Sequence, residues 1–129
     1  LNLEKNVKEI FSIKDVIPSV GQGIIAAQCR KEDEKIKIIL NKINDTETKH
    51  CAVTERSMLK TIGGDCDTAI GGIATLIDGE IYLKAQLFSD SGEEVFFQEL
   101  RGKKEDGIKI GEMVANALLK KAGPKFKKK

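Results

Sequence analysis

Cysteine is intrinsically among the most nucleophilic side chains, and one of the three in this chain sits where that property can be used. Cys66 lies in Thr61-Ile62-Gly63-Gly64-Asp65-Cys66-Asp67-Thr68-Ala69-Ile70-Gly71-Gly72. The stretch follows a helical pattern and precedes a strand pattern, so it reads as a turn. Glycines on both sides open backbone conformations closed to other residues. A thiol carried on such a turn can reach beyond its own domain to a ligand or a covalent partner. Asp65 and Asp67 flank the sulfur, and neighbouring negative charge disfavours a thiolate. The pattern therefore suits capture of a strong electrophile better than protease-type attack. The plain alternative is a small buried cysteine that packs and does no chemistry.

The other reactive residues form no constellation. Cys29, Cys51 and Cys66 are an odd count at wide spacing, which argues against a disulfide framework and for a reducing compartment. There is no Cys-x-x-Cys pair, and His50 adjoins Cys51 instead of standing at ligand spacing, so no metal site is expected. His50 is the only histidine and has no recognisable catalytic partner. Arg30 offers a fork suited to carboxylates, or simply ends a strand in solvent.

Composition sets the frame for these residues. The chain has 129 residues, 40% hydrophobic and 33% charged, which suits one compact globular domain. No apolar run approaches the roughly 20 residues of a membrane helix, so no membrane partner is expected. Net charge is only +2. Basic residues gather at Lys120, Lys121, Lys125, Lys127, Lys128 and Lys129, but Phe126 is their only interleaved aromatic. That end reads as a solvated tail and not as a nucleic-acid site. The start at Leu1 without a signal-peptide pattern reads as an excised or processed piece.

The elements that must position Cys66 follow from periodicity. Residues 1–17 are weakly amphipathic up to Pro18, and Val20-Gly21-Gln22-Gly23 is a tight turn. Ile24-Ile25-Ala26-Ala27-Gln28-Cys29 reads as a strand buried on both faces, with no parallel partners elsewhere in the chain. Ile36, Ile39, Leu40 and Ile43 mark a short helix. Asn44-Asp45-Thr46 restarts a helix over about 46–61, with Cys51, Met58, Leu59 and Ile62 on one face and Glu55 among them. Strands are expected at 72–77, 80–89 and 93–101. The first two are joined at Asp78-Gly79, a strong hairpin signal. A last helix carries Ile108, Gly111, Val114, Ala115, Leu118 and Leu119 on one stripe and stops at Gly123-Pro124. The expected fold is α+β: a three-stranded antiparallel sheet covered by helices on one face, preceded by a strand and helix of a largely missing domain.

Several motifs carry a family resemblance. Pro18-Ser19-Val20-Gly21-Gln22-Gly23, Gln28-Cys29-Arg30, Thr54-Glu55-Arg56-Ser57-Met58-Leu59 and Gly63-Gly64-Asp65-Cys66-Asp67-Thr68-Ala69-Ile70-Gly71 resemble, in order, the C-terminal motifs of the hydroxymethylbilane synthase (porphobilinogen deaminase) family. Leu76-Ile77-Asp78-Gly79-Glu80-Ile81 and the last helix extend the likeness over nearly all of residues 16–123.

The resemblance implies a transferase of porphyrin and heme biosynthesis. Such an enzyme joins four porphobilinogen molecules into linear hydroxymethylbilane with loss of ammonia, building on a dipyrromethane cofactor held by a thioether. It implies that Cys66 is the attachment point, where a plain thiol captures the electrophilic azafulvene formed by deamination of porphobilinogen. Gln22 and Gly23 then line the cofactor cleft, Arg30 is a weaker candidate for substrate carboxylates, and Glu55 with Arg56 is a structural ion pair. It also implies a division at residue 43. Residues 1–43 would be a remnant of two preceding domains, and 44–129 the C-terminal cofactor-attachment domain.

The catalytic aspartate and the arginine cluster for substrate carboxylates would lie outside the chain, which alone should be inactive. The implied partners are porphobilinogen, the growing tetrapyrrole and the missing N-terminal domains. The full enzyme is expected to be a monomer in the cytoplasm, or in plastids according to source. One departure is Ala69, where the family usually has proline; alanine there should loosen the turn. The alternative from a different class is a free-standing α+β binding module in which Cys66 is merely packed.

Overall fold

A computed structural model describes residues 3–63 and 68–123 of the chain. Helices α1 (Glu34–Ile43) and α2 (Thr46–Ile62) lead into strands β1 (Ile70–Ile77), β2 (Glu80–Phe88) and β3 (Val95–Lys103). Helix α3 (Gly107–Ala122) follows. The strands form one antiparallel sheet in the order β1-β2-β3.

Local chemistry sets the element ends. Asp33 accepts the Ile36 N–H at 3.1 Å and starts α1, and Asp45 accepts the Thr48 N–H at 2.7 Å and starts α2. Gly63 ends α2 in the left-handed region, its N–H returning to the carbonyls of Leu59 and Lys60. Asp78 and Gly79 both take positive φ, 52° and 78°, so the β1–β2 connection is a two-residue turn that pairs Ile77 with Glu80.

The sheet buries one face. On β2, Ile81, Leu83, Ala85 and Leu87 point into the core, joined by Ala74 from β1, Met58 from α2, and Ile110, Val114, Ala115 and Leu118 from α3. Both α2 and α3 lie over this face and against each other. They approach closely at Gly111, where any Cβ would strike the Thr54 carbonyl and lie 2.8 Å from the Met58 nitrogen. The α+β architecture with helices on one sheet face is thus as the sequence leads one to expect.

Three expectations need correction. Residues 24–29 form no strand, and Ile25 is 96% exposed. A strand exists only within a ladder, and no described strand lies beside this segment. The amphipathic start is mostly irregular, with one short 3₁₀ turn at Glu4–Asn6 and Ile10 86% exposed. On α3 the buried stripe is Gly107, Ile110, Gly111, Val114, Ala115 and Leu118, leaving Ile108 in solvent. Gly107 and Gly111 both lie against Thr54, and that pair of contacts turns Ile108 outward.

Candidate functional site

Cys66 and its neighbours at 64, 65 and 67 lie outside the described residues, but the points that hold this segment do not. It leaves α2 at Gly63. It returns at Thr68, whose carbonyl accepts the Ile70 N–H at 2.9 Å, and Ala69, whose carbonyl accepts the Phe88 N–H at 2.9 Å. Both anchors belong to the packed unit of α2 and the sheet.

A second segment is docked beside the same strand start. Ser19 bridges Gly71, and the Gly72 N–H donates to the Pro18 carbonyl at 2.8 Å. The paired glycines are required for this. A Cβ on Gly71 would lie 2.8 Å from the Ile17 carbonyl, and one on Gly72 would meet the Met58 methyl and come within 3.2 Å of Val20. Val20 itself packs against the core. Beyond this strap the chain turns twice, with Gln22 N–H donating to Ser19 at 3.0 Å and Ile24 N–H to Gly21 at 3.2 Å. Gln22 and Gly23 face solvent on that turn.

Glu55 ties the strap down. It is 4% exposed, and its two oxygens accept from two segments: Oε2 from the Gly21 N–H at 2.7 Å, Oε1 from the Ala74 N–H at 2.8 Å. Burial pushes its carboxyl above the usual carboxylate range, and the two N–H donors pull it part of the way back. The expected ion pair with Arg56 is not seen. Adjacent helical residues do not face one another, and Arg56 is exposed, on a groove it shares with Lys49, Lys60, Ile108 and Glu112. No ion pair among the described residues involves either side chain.

The remaining candidates stand apart. Arg30 is exposed at the approach to α1, near Glu32, Asp33, Glu34 and Lys35. Cys51 is partly buried, and desolvation with the nearby Glu55 and Glu47 pushes its thiol up, away from reactivity. Cys29 is half-buried as well. No cluster of three or more metal-ligating side chains occurs among the described residues. Sequence reasoning missed the strap and the role of Glu55. The available signals were the Gly71-Gly72 pair and a lone carboxylate on an otherwise apolar helix face.

Comparison with known proteins gives two matches in sequence order. Residues 1–38 match the family model described as porphobilinogen deaminase, dipyromethane cofactor binding domain, and residues 49–120 match that of the porphobilinogen deaminase C-terminal domain. A porphobilinogen deaminase of Halalkalibacterium halodurans is 40% identical over 104 residues, 80% of this chain and 33% of that protein. One from Exiguobacterium sibiricum is 38% identical over 121 residues, 93% of this chain and 39% of that protein. One from Limosilactobacillus reuteri is 34% identical over 122 residues, 94% and 39%. The chain thus spans between 33% and 39% of the length of these relatives. The C-terminal family match alone covers more than half of the residues, and the chain belongs to the porphobilinogen deaminase family.

Proposed function

We propose that this chain is the C-terminal part of a hydroxymethylbilane synthase, the transferase that joins four porphobilinogen molecules head to tail and releases ammonia. The observation that carries this reading is the order of the family matches, 1–38 and then 49–120. The first match bears the cofactor's name and includes Gln22 and Gly23, while the second includes Cys66. In this reading a cleft runs between the two parts and both contribute walls.

Cys66 holds the dipyrromethane cofactor by a thioether, and when bound the cofactor supplies the pyrrole end on which the chain grows. The residues present fit such a group. Cys29 and Cys51 are partly buried, and the Cys51 thiol is pushed up, so neither competes as a tether. The turn bearing Gln22 and Gly23 is anchored to the core on one side and open to solvent on the other. It is free to offer amide and backbone groups to acetate and propionate side chains. A single attachment to a strong electrophile asks for little activation of the Cys66 thiol.

By the same reading residues 1–43 belong with the preceding domains and 44–129 form the C-terminal domain. The catalytic aspartate and most carboxylate-binding arginines are contributed from outside this chain, which alone does not turn over. The whole enzyme acts as a monomer in the cytoplasm or, according to source, in plastids. No described helix is long and apolar enough to cross a membrane. The exposure of Ile25 supports a part of a larger body over a free-standing module, because an apolar segment of this kind asks for a covering surface.

Intact-mass measurement on the full-length protein tests the assignment. The wild type should carry a dipyrromethane adduct, and Cys66→Ser should lack it. An unmodified wild-type mass would overturn the reading.

A further inference from the structure

Glu55 is the one buried carboxylate among the described residues, and the chemistry above does not use it. Burying such a group without a cation is costly unless hydrogen bonds replace its water. Here both replacements come from backbone N–H groups, and they come from different places: Gly21 on the strap and Ala74 on β1. A carboxylate has two acceptor oxygens and no donor, so it can serve both. An amide has one acceptor and would turn its NH₂ toward the other N–H.

The position of Glu55 on α2 gives this bond a purpose. Gly63, where α2 hands over to the Cys66 segment, is eight residues on, about 12 Å along the helix axis. The other end of that segment is fixed to β1, the strand that Glu55 also holds. Gly21 is next to Gln22. One buried side chain thus ties the Gln22–Gly23 turn to the frame that carries both ends of the Cys66 segment.

We propose that Glu55 is a positioning residue, which holds the Gln22–Gly23 turn against the α2–β1 frame and so shapes a binding wall for carboxylate-bearing pyrroles. This rests on the functional reading above. Gly71 offers an independent handle on the same arrangement. A methyl there would press on the Ile17 carbonyl, lifting the strap from the opposite side while leaving the carboxylate intact.

The test uses the full-length enzyme with porphobilinogen as the probe. Glu55→Gln should retain the Cys66 adduct by intact mass, raise KM on the order of tenfold and change kcat much less, as a displaced binding wall requires. Gly71→Ala should reproduce the same split. A wild type without the adduct defeats the functional reading. An adduct-bearing wild type with KM unchanged in both variants defeats this inference and leaves that reading standing. Equal losses through kcat with KM unchanged would also overturn it. Should Glu55→Gln not fold, Gly71→Ala decides alone: an unchanged KM overturns the proposal, and a raised KM with kcat kept supports it.

Discussion

Residues 24–27 and strand β2 are both rich in apolar side chains, yet they end in opposite states. On β2, Ile81, Leu83 and Ala85 are fully buried, while Ile25 in the earlier segment is 96% exposed. β2 is the central strand, with a ladder on each side and two helices over one face. The earlier segment runs beside α1 and α2, with no described strand next to it. Apolar content supplies the tendency to be buried, but a strand also needs neighbours for its backbone groups.

That contrast is open to direct attack. Leu83→Ala should cost about 2–5 kcal/mol in urea unfolding of this chain, and Ile25→Ala should stay within about 0.5 kcal/mol. Comparable losses from the two would erase the distinction.

A smaller effect is expected at Glu55, where the two regions are joined. Glu55→Gln leaves one of two buried N–H groups unpaired and should cost about 1–3 kcal/mol. Its pH dependence has a definite sign. Burial raises the folded-state carboxyl above its unfolded value, so the folded chain binds this proton more tightly. The contribution is fully present below the unfolded carboxylate range and is lost as pH rises through the raised folded value. The stability gap between wild type and Glu55→Gln should therefore narrow as pH is raised, and a gap that widens contradicts the burial argument.

The least costly change lies at the far side of the sheet. Lys121 on α3 donates to the Phe97 carbonyl at 2.6 Å and to Gln98 Oε1 at 2.8 Å, covering part of the β3 edge. Lys121→Ala should alter stability by no more than about 0.5 kcal/mol. It should nevertheless raise concentration-dependent association in sedimentation, because it uncovers a strand edge. A strictly monomeric variant would show that the edge needs no such guard.

The parts legible in the sequence were those decided locally. The alternation at Ile81, Leu83, Ala85 and Leu87 and the Asp78-Gly79 turn defined the first hairpin, and Asp45 marked the start of α2. What was not legible depended on distant partners. The carboxylate of Glu55 finds one donor 34 residues away at Gly21, a contact no local pattern announces. On α3 the expected stripe shared Gly111, Val114, Ala115 and Leu118 with the buried one but took in Ile108 in place of Gly107 and Ile110, because Gly107 as well as Gly111 lies against Thr54 on another helix. For the candidate site, the resemblance pointed to Gln22, Gly23 and Cys66. It also gave Glu55 a structural role, but not the backbone N–H groups of Gly21 and Ala74 as its partners.

The bridge between Ser19 and Gly71 also bears on where this protein is divisible. The two family matches leave residues 39–48 unclaimed, and that gap looks like a natural cut point. A piece starting at residue 44 would nevertheless begin with β1 stripped of its outer cover, an empty slot over Gly72 where Val20 sits, and Glu55 short of one donor. An excision that is to keep these contacts therefore has to carry residues 17–21 along with the C-terminal unit.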